Sequence, residues 1–109
     1  MRSFYTKVYG VSFQNPDGSD RQNILAQLDE TYDDGGFPLQ LKRESDNPHD
    51  AMAIAVIAPT GQQLGYLSRS VANNVAPLID GGSTVEASAT QITGGWPYHY
   101  GVNIQVTIC

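Results

Sequence analysis

LQLKRESDNPHDAMAIAVIAPTGQQLGYLSR, running from Leu39 to Arg69, reads as three short strands with a polar knot between the first two. Leu39, Leu41 and Arg43 alternate with Gln40, Lys42 and Glu44, the period of two that turns one strand face inward and leaves the other in water. From Met52 to Ile57 the chain is almost continuously apolar, the pattern of a strand covered on both faces. The knot itself, Ser45-Asp46-Asn47-Pro48-His49-Asp50, cannot be strand, because Pro48 donates no amide and holds Asn47 in an extended turn conformation. A loop is forced there, and its polar side chains make it the first place to look for a ligand. Pro59-Thr60-Gly61 is turn chemistry between Ile57 and Gln63, so Met52 to Leu67 reads as a β-hairpin.

Working outward, Phe4 to Phe13 is rich in aromatic and β-branched residues and is expected to form the first strand, with Gly10 marking a bulge or a close backbone approach. Asn15-Pro16-Asp17-Gly18 is a turn, after which Ser19 or Asp20 caps a short helix over Arg21 to Leu28 with Ile24, Leu25 and Leu28 on one face. The stretch from Asp29 to Gly36, four acids ending in a glycine pair, reads as a solvated loop. Ser68 caps a second helix, in which Val71, Ala72, Val75, Leu78 and Ile79 recur at helical spacing and which Gly81-Gly82 ends. Pro77 inside it predicts a kink or a break. Thr84 to Thr93 returns to strand, and Val102, Ile104, Val106 and Ile108 alternate in the last one. The order is β-α-β-β-β-α-β-β: mostly β with two short helices (α+β), as in a small barrel or a strongly coiled antiparallel sheet with helices over its open parts.

At 109 residues the chain is expected to be a single domain spanning 1–109. With 40% apolar and 16% charged residues it is ordinary globular sequence. No apolar run approaches the ~20 residues of a membrane span, and the first residues lack a signal peptide's apolar core, so the expected location is cytoplasmic. The one cysteine, Cys109, permits no internal disulfide and no thiolate metal cage. A net charge of −5 argues against strong nonspecific attraction to nucleic acid, so any such binding must be local.

The run from Arg43 to Ile54, then Gly65-Tyr66-Leu67-Ser68-Arg69, with Val8-Tyr9-Gly10-Val11 upstream and Tyr100-Gly101-Val102 near the end, resembles a HIRAN domain over almost the whole chain. The family is known as a module of fork-remodelling helicases and as free-standing domains. This chain is similar to the free-standing kind, since no helicase segment is attached. The resemblance implies a modified OB-like barrel that grips the free 3' end of single-stranded DNA, in the setting of DNA repair or fork processing, with no cofactor. Such a site is physically intelligible: a carboxylate repels phosphate, but a 3' terminus ends in a neutral hydroxyl that can donate a hydrogen bond to it. Asp50 matches the family aspartate and Asn47 an asparagine of the same loop. His49, with a smaller ring, stands where the family often has tyrosine. Phe13 matches an aromatic that stacks on a base, an interaction worth roughly 1–3 kcal/mol in other single-strand binders. Ser12 replaces an arginine of the helicase members, and Arg69 matches a basic position at the start of the second helix. With one cation lost, binding is expected to be weaker than in the helicase modules.

Each assignment has a plainer counterpart. Asn47 and Asp50 fit equally well as residues that hold their own loop, Phe13 as core and Arg69 as surface charge. Tyr66 faces either the core or a groove. Trp96, Tyr98 and Tyr100 form either a stacking platform or strand-end packing. Two other functions are compatible with the sequence. One is a protein-interaction domain docking a partner, such as a repair or helicase component, through its sheet edge or aromatic loop. The other is a metal-dependent hydrolase or nuclease accessory with an ion at Asp46, His49 and Asp50, although two histidines and a tight turn make a poor ligand set. No nucleophile elbow, Walker loop or dinucleotide fingerprint is present, and the expectation is a nonenzymatic module.

Overall fold

The computed structural model of the protein describes residues 1–32, 36–95 and 97–109. Eight elements follow the expected order: β1 (Arg2–Lys7), α1 (Arg21–Thr31), β2 (Phe37–Arg43), β3 (Ile54–Ile57), β4 (Gln63–Tyr66), α2 (Arg69–Asp80), β5 (Val85–Thr93) and β6 (Gly101–Ile108). The strands form one antiparallel sheet in the order β1-β6-β5-β2-β3-β4, curled into an OB-like half-barrel. The curl is closed at one point. Just beyond β1, the amide of Tyr9 donates to the carbonyl of Tyr66 in β4, and the amide of Tyr66 donates back to Tyr9, both at 2.8 Å. Gly65 permits this seam, because a Cβ there would collide with the carbonyl oxygen of Tyr9 and lie 2.8 Å from Cγ1 of Val8.

Alternation places Val102, Ile104 and Val106 of β6 in the core, together with Ile54 and Val56 of β3 and Leu64 of β4. The two helices cover this core, α1 with the predicted Ile24, Leu25 and Leu28, and α2 with Ala72 and Val75 as predicted and Ala76 besides, while Val71, Leu78 and Ile79 are only half-buried. Both are capped as expected: the Asp20 carboxylate accepts from the amide of Gln22, and the Ser68 hydroxyl accepts from the amide of Val71. The β3–β4 hairpin turns at Gly61, whose φ of 87° is the left-handed conformation that favours glycine.

Four expectations need correction. The first strand does not reach Phe13. It ends at Lys7, Gly10 turns the chain with a φ of 77°, and the amide of Phe13 closes a tight turn onto the carbonyl of Gly10. The first helix runs on to Thr31, so Asp29 and Glu30 are helical rather than loop, while residues 33–35 of that acidic stretch lie outside the described residues. The strand after the polar knot begins at Ile54, not Met52, because the knot's last turn takes Ala51 and Met52. Pro77 does not break α2, which is continuous to Asp80. Pro77 and Asn73 are both exposed, so the carbonyl that loses its intrahelical donor faces water.

Candidate functional site

The loop between β2 and β3 is held by its own side chains. The amide oxygen of Asn47 accepts from the backbone amides of His49 (2.8 Å) and Asp50 (3.1 Å), and its Nδ2 donates to Glu44 Oε1 (3.1 Å). The same Glu44 oxygen accepts from the Tyr66 hydroxyl at 2.9 Å, tying the loop to β4. Asn47 is therefore spent on scaffolding: both ends of its amide are engaged, and its part in any site is to fix the direction of His49 and Asp50.

Asp50 divides its carboxylate between two tasks. One oxygen, Oδ1, accepts from the amide of Met52 at 2.9 Å and closes the turn. The other, Oδ2, lies 3.6 Å from Nε of Arg69. Arg69 opens α2 immediately after its Ser68 cap, and its Nη2 donates weakly to the carbonyl of His49 at 3.4 Å. Its side chain is 72% exposed against 23% for Asp50, so the pair is screened by solvent and contributes little to stability. Asn47, His49, Asp50, Tyr66 and Arg69 all line one pocket of about 290 Å³, with Ala53 and Leu67 behind them. Five of the six side chains singled out in the sequence thus meet.

The sixth, Phe13, lies next door. It is 66% exposed, which excludes the core reading, and it lines a wider cleft of about 700 Å³ whose walls include Tyr9, Asn15, Arg21, His49 and Tyr66. His49 and Tyr66 belong to both hollows and form the ridge between them. The choice between core and groove at Tyr66 resolves as a half-buried ring that borders both hollows while its hydroxyl is held by Glu44.

Two contributors escaped sequence reasoning. Tyr9, which the sequence marks as part of a strand and of the family resemblance but not as a site residue, is 53% exposed and lines the cleft with Phe13. Arg21 was read only as the first residue of a helix. The available signal was electrostatic, since a cation in the first helical turn opposes the helix dipole and needs a reason. In the structure Arg21 is buried, with Nε donating to Asn15 Oδ1 and Nη1 to the carbonyl of Gly10, each at 2.8 Å, and its guanidinium lies 5.9 Å from the Tyr66 ring centre. Burial lowers its pKa from the usual arginine value, opposed by the Tyr66 and Glu44 charges. Asn15, itself buried, also donates to the carbonyl of Gln63, so the loop that carries Phe13 is fastened to β4.

The other candidates separate. Asp46 borders a different hollow from Asp50, and among the described residues no three His, Cys, Asp or Glu side chains gather as a metal site. Of the aromatic loop, Trp96 lies outside the described residues. Tyr98 is exposed, whereas Tyr100 is half-buried with its backbone clamped on both sides by the Gln22 amide. No helix among the described residues is long and apolar enough to cross a membrane.

A family model described as HIRAN domain matches residues 1–108. The crystal structure of the HIRAN domain of human HLTF superposes with a TM-score of 0.68 at 20% identity, over 97% of this chain and 74% of that one. A protein from Lactobacillus plantarum superposes with a TM-score of 0.63 at 23% identity, over 96% of this chain and 98% of that one. At these identities the superpositions establish the fold. A search of the curated proteins finds no match.

Proposed function

This chain belongs to the HIRAN domain family, and we propose that it is a nonenzymatic nucleic-acid-binding module that receives the free 3'-hydroxyl end of a single DNA strand in the pocket at Asp50. The family is linked to DNA binding, and a half-barrel with a groove over its closure is a common platform for single strands. One observation supports the finer reading: Asp50 lines the pocket with only Oδ1 taken by a backbone hydrogen bond, while Oδ2 has the Arg69 cation beside it. An acceptor anion next to an exposed cation suits a terminus that pairs a neutral hydroxyl with a nearby phosphate. The hydroxyl donates to Asp50, and Arg69 swings to the phosphate. An internal phosphodiester offers Asp50 no donor and is repelled by it. Phe13 and His49 stand at the edge of the adjoining cleft, where a base can stack.

Competition separates end recognition from general strand binding. A labelled linear strand is displaced, in fluorescence anisotropy, by unlabelled linear DNA or by a covalently closed single-stranded circle of the same sequence. The circle should compete about tenfold less well, the factor expected for losing one hydrogen bond to a charged acceptor. Equal competition would sink the end-specific reading.

A second reading, docking of a protein at the sheet edge, also has an observation in its favour. The Val8 amide bonds to Val102 of β6, so the even residues of β1 face β6 and the odd ones, Ser3, Tyr5 and Lys7, turn their backbone groups outward. Among the described residues no strand pairs with them. A protein-docking domain would show no DNA displacement of either kind.

A further inference from the structure

The cation at the floor of the Phe13 cleft lacks a counterion. Arg21 is 5% exposed, and the ion pairs among the described residues are Arg43–Asp80 and Arg69–Asp50. Glu44 acts on it only from beyond ion-pair distance, and that carboxylate already serves Tyr66 and Asn47. A guanidinium withdrawn from water without an anion is a costly arrangement, and it stands out in a chain with 11 acids and 6 bases. Its hydrogen bonds leave a further clue. Nε and Nη1 are engaged by Asn15 and Gly10, while Nη2 has no partner among the described residues. Among those same residues no fully buried side-chain nitrogen is left unpaired, so Nη2 keeps some contact with solvent, and the hollow that Arg21 helps to line is this cleft. Two N–H donors and a buried positive charge therefore face a hollow walled by Tyr9, Phe13, His49 and Tyr66.

From this we infer that Arg21 is a ligand-contacting residue, and that the Phe13 cleft takes a phosphate group on its Nη2. The aromatic walls identify the carrier as a nucleotide, whose base stacks while its phosphodiester supplies the missing counterion. Nη2 is placed for this role because its two sister nitrogens are anchored: the guanidinium cannot turn away, so little side-chain entropy is lost on binding.

The inference rests on the strand-binding function proposed above, and two arms keep the two apart. In the first, anisotropy with a short linear 3'-hydroxyl strand is repeated from low to moderate salt for wild type, Arg21→Gln and Arg21→Lys. Each single-strand phosphate neutralised adds about 0.7 to the slope of log affinity against log salt. Arg21→Gln should lose about that much slope and bind roughly tenfold more weakly at low salt, while Arg21→Lys, which keeps the charge, should retain the slope. A purely structural staple would weaken binding equally at every salt concentration and leave the slope of Arg21→Gln unchanged, which would overturn the inference while leaving strand binding intact. In the second arm, which needs neither DNA nor a variant that folds, inorganic phosphate is titrated into ¹⁵N-labelled wild type. The side-chain N–H signals of Arg21 should shift and saturate. No movement of those signals would overturn the phosphate assignment, whereas movement with no strand binding in the first arm would retain the phosphate site and reject the DNA end reading.

Discussion

Asp50→Asn should abolish the preference for linear over circular strands while leaving the domain folded. Asparagine keeps an oxygen for the Met52 amide, so the turn that Asp50 closes at 2.9 Å survives. What disappears is the negative charge that Asp50 brings to the pocket beside Arg69. A hydrogen bond to a charged acceptor contributes about 1.5–3 kcal/mol, so affinity for the 3'-hydroxyl strand should fall by roughly tenfold or more. Affinity for the circle should move the other way. With the carboxylate gone, Arg69 is released from its pairing and the pocket no longer repels phosphate. The paired change, weaker for the end and stronger for the circle, distinguishes loss of an end receptor from general damage. Asp50→Ala should show the same pattern with an added stability loss of about 1 kcal/mol, from leaving the Met52 amide without its acceptor. Competition by linear and circular DNA against both variants reads all of this, and an unchanged linear preference in Asp50→Asn would remove Asp50 from the site.

Gly65→Ala should produce the largest loss of stability of any single methyl addition in the sheet. Its Cβ would enter the space of the Tyr9 carbonyl and of Val8, both backbone or core atoms that cannot swing aside. Overpacking of this kind costs roughly 1–3 kcal/mol, and parting the two reciprocal bonds between Tyr9 and Tyr66 adds about 1 kcal/mol for each. A total near 3 kcal/mol or more corresponds to a fall in Tm on the order of 10–20 °C for a domain this size. Gly61→Asn is the matched control. Its φ of 87° strains any side chain, asparagine least among them, but nothing lies within 4 Å of an added Cβ, so its Tm should fall by much less than that of Gly65→Ala. Calorimetry on the two variants checks the comparison, and a Gly65→Ala protein as stable as Gly61→Asn would mean that the seam does not hold the half-barrel. Because Tyr9 and Tyr66 both border the Phe13 cleft, the same variant should also weaken strand binding.

The extent to which the site was legible from sequence follows from what kind of interaction places each residue. The loop that carries Asn47, His49 and Asp50 is a local signal, a proline-broken polar knot, whereas the assignment of those residues and Arg69 to a site comes from the resemblance to the HIRAN family, and only the fold places Tyr66 and Arg69 beside the knot. Phe13 was identified, but its surroundings were not: reading Phe4 to Phe13 as one strand missed the turn at Gly10 that carries the ring out to the cleft. Arg21 and Tyr9 were missed as site residues because their roles depend on the seam between β4 and the segment after β1, a contact across 57 residues that no periodicity encodes. The strands and helices themselves followed alternation and capping closely. Their errors fell where a competing force acts, at Asp29 and Glu30, where helix propagation outran an acidic composition that resembles a loop, and at Pro77, whose lost bond faces solvent.

The proposed function requires the pocket at Asp50 to accept an uncharged sugar terminus, and the most direct measurement compares two strands that differ only there. Anisotropy with wild-type protein, at one stated low salt concentration, measures affinity for a short strand ending in a 3'-hydroxyl and for the same strand ending in a 3'-phosphate. The hydroxyl end should bind tighter by roughly tenfold, because it donates to Asp50 Oδ2, whereas the phosphate sets like charges against each other. Equal affinity, or tighter binding of the phosphate end, would contradict it.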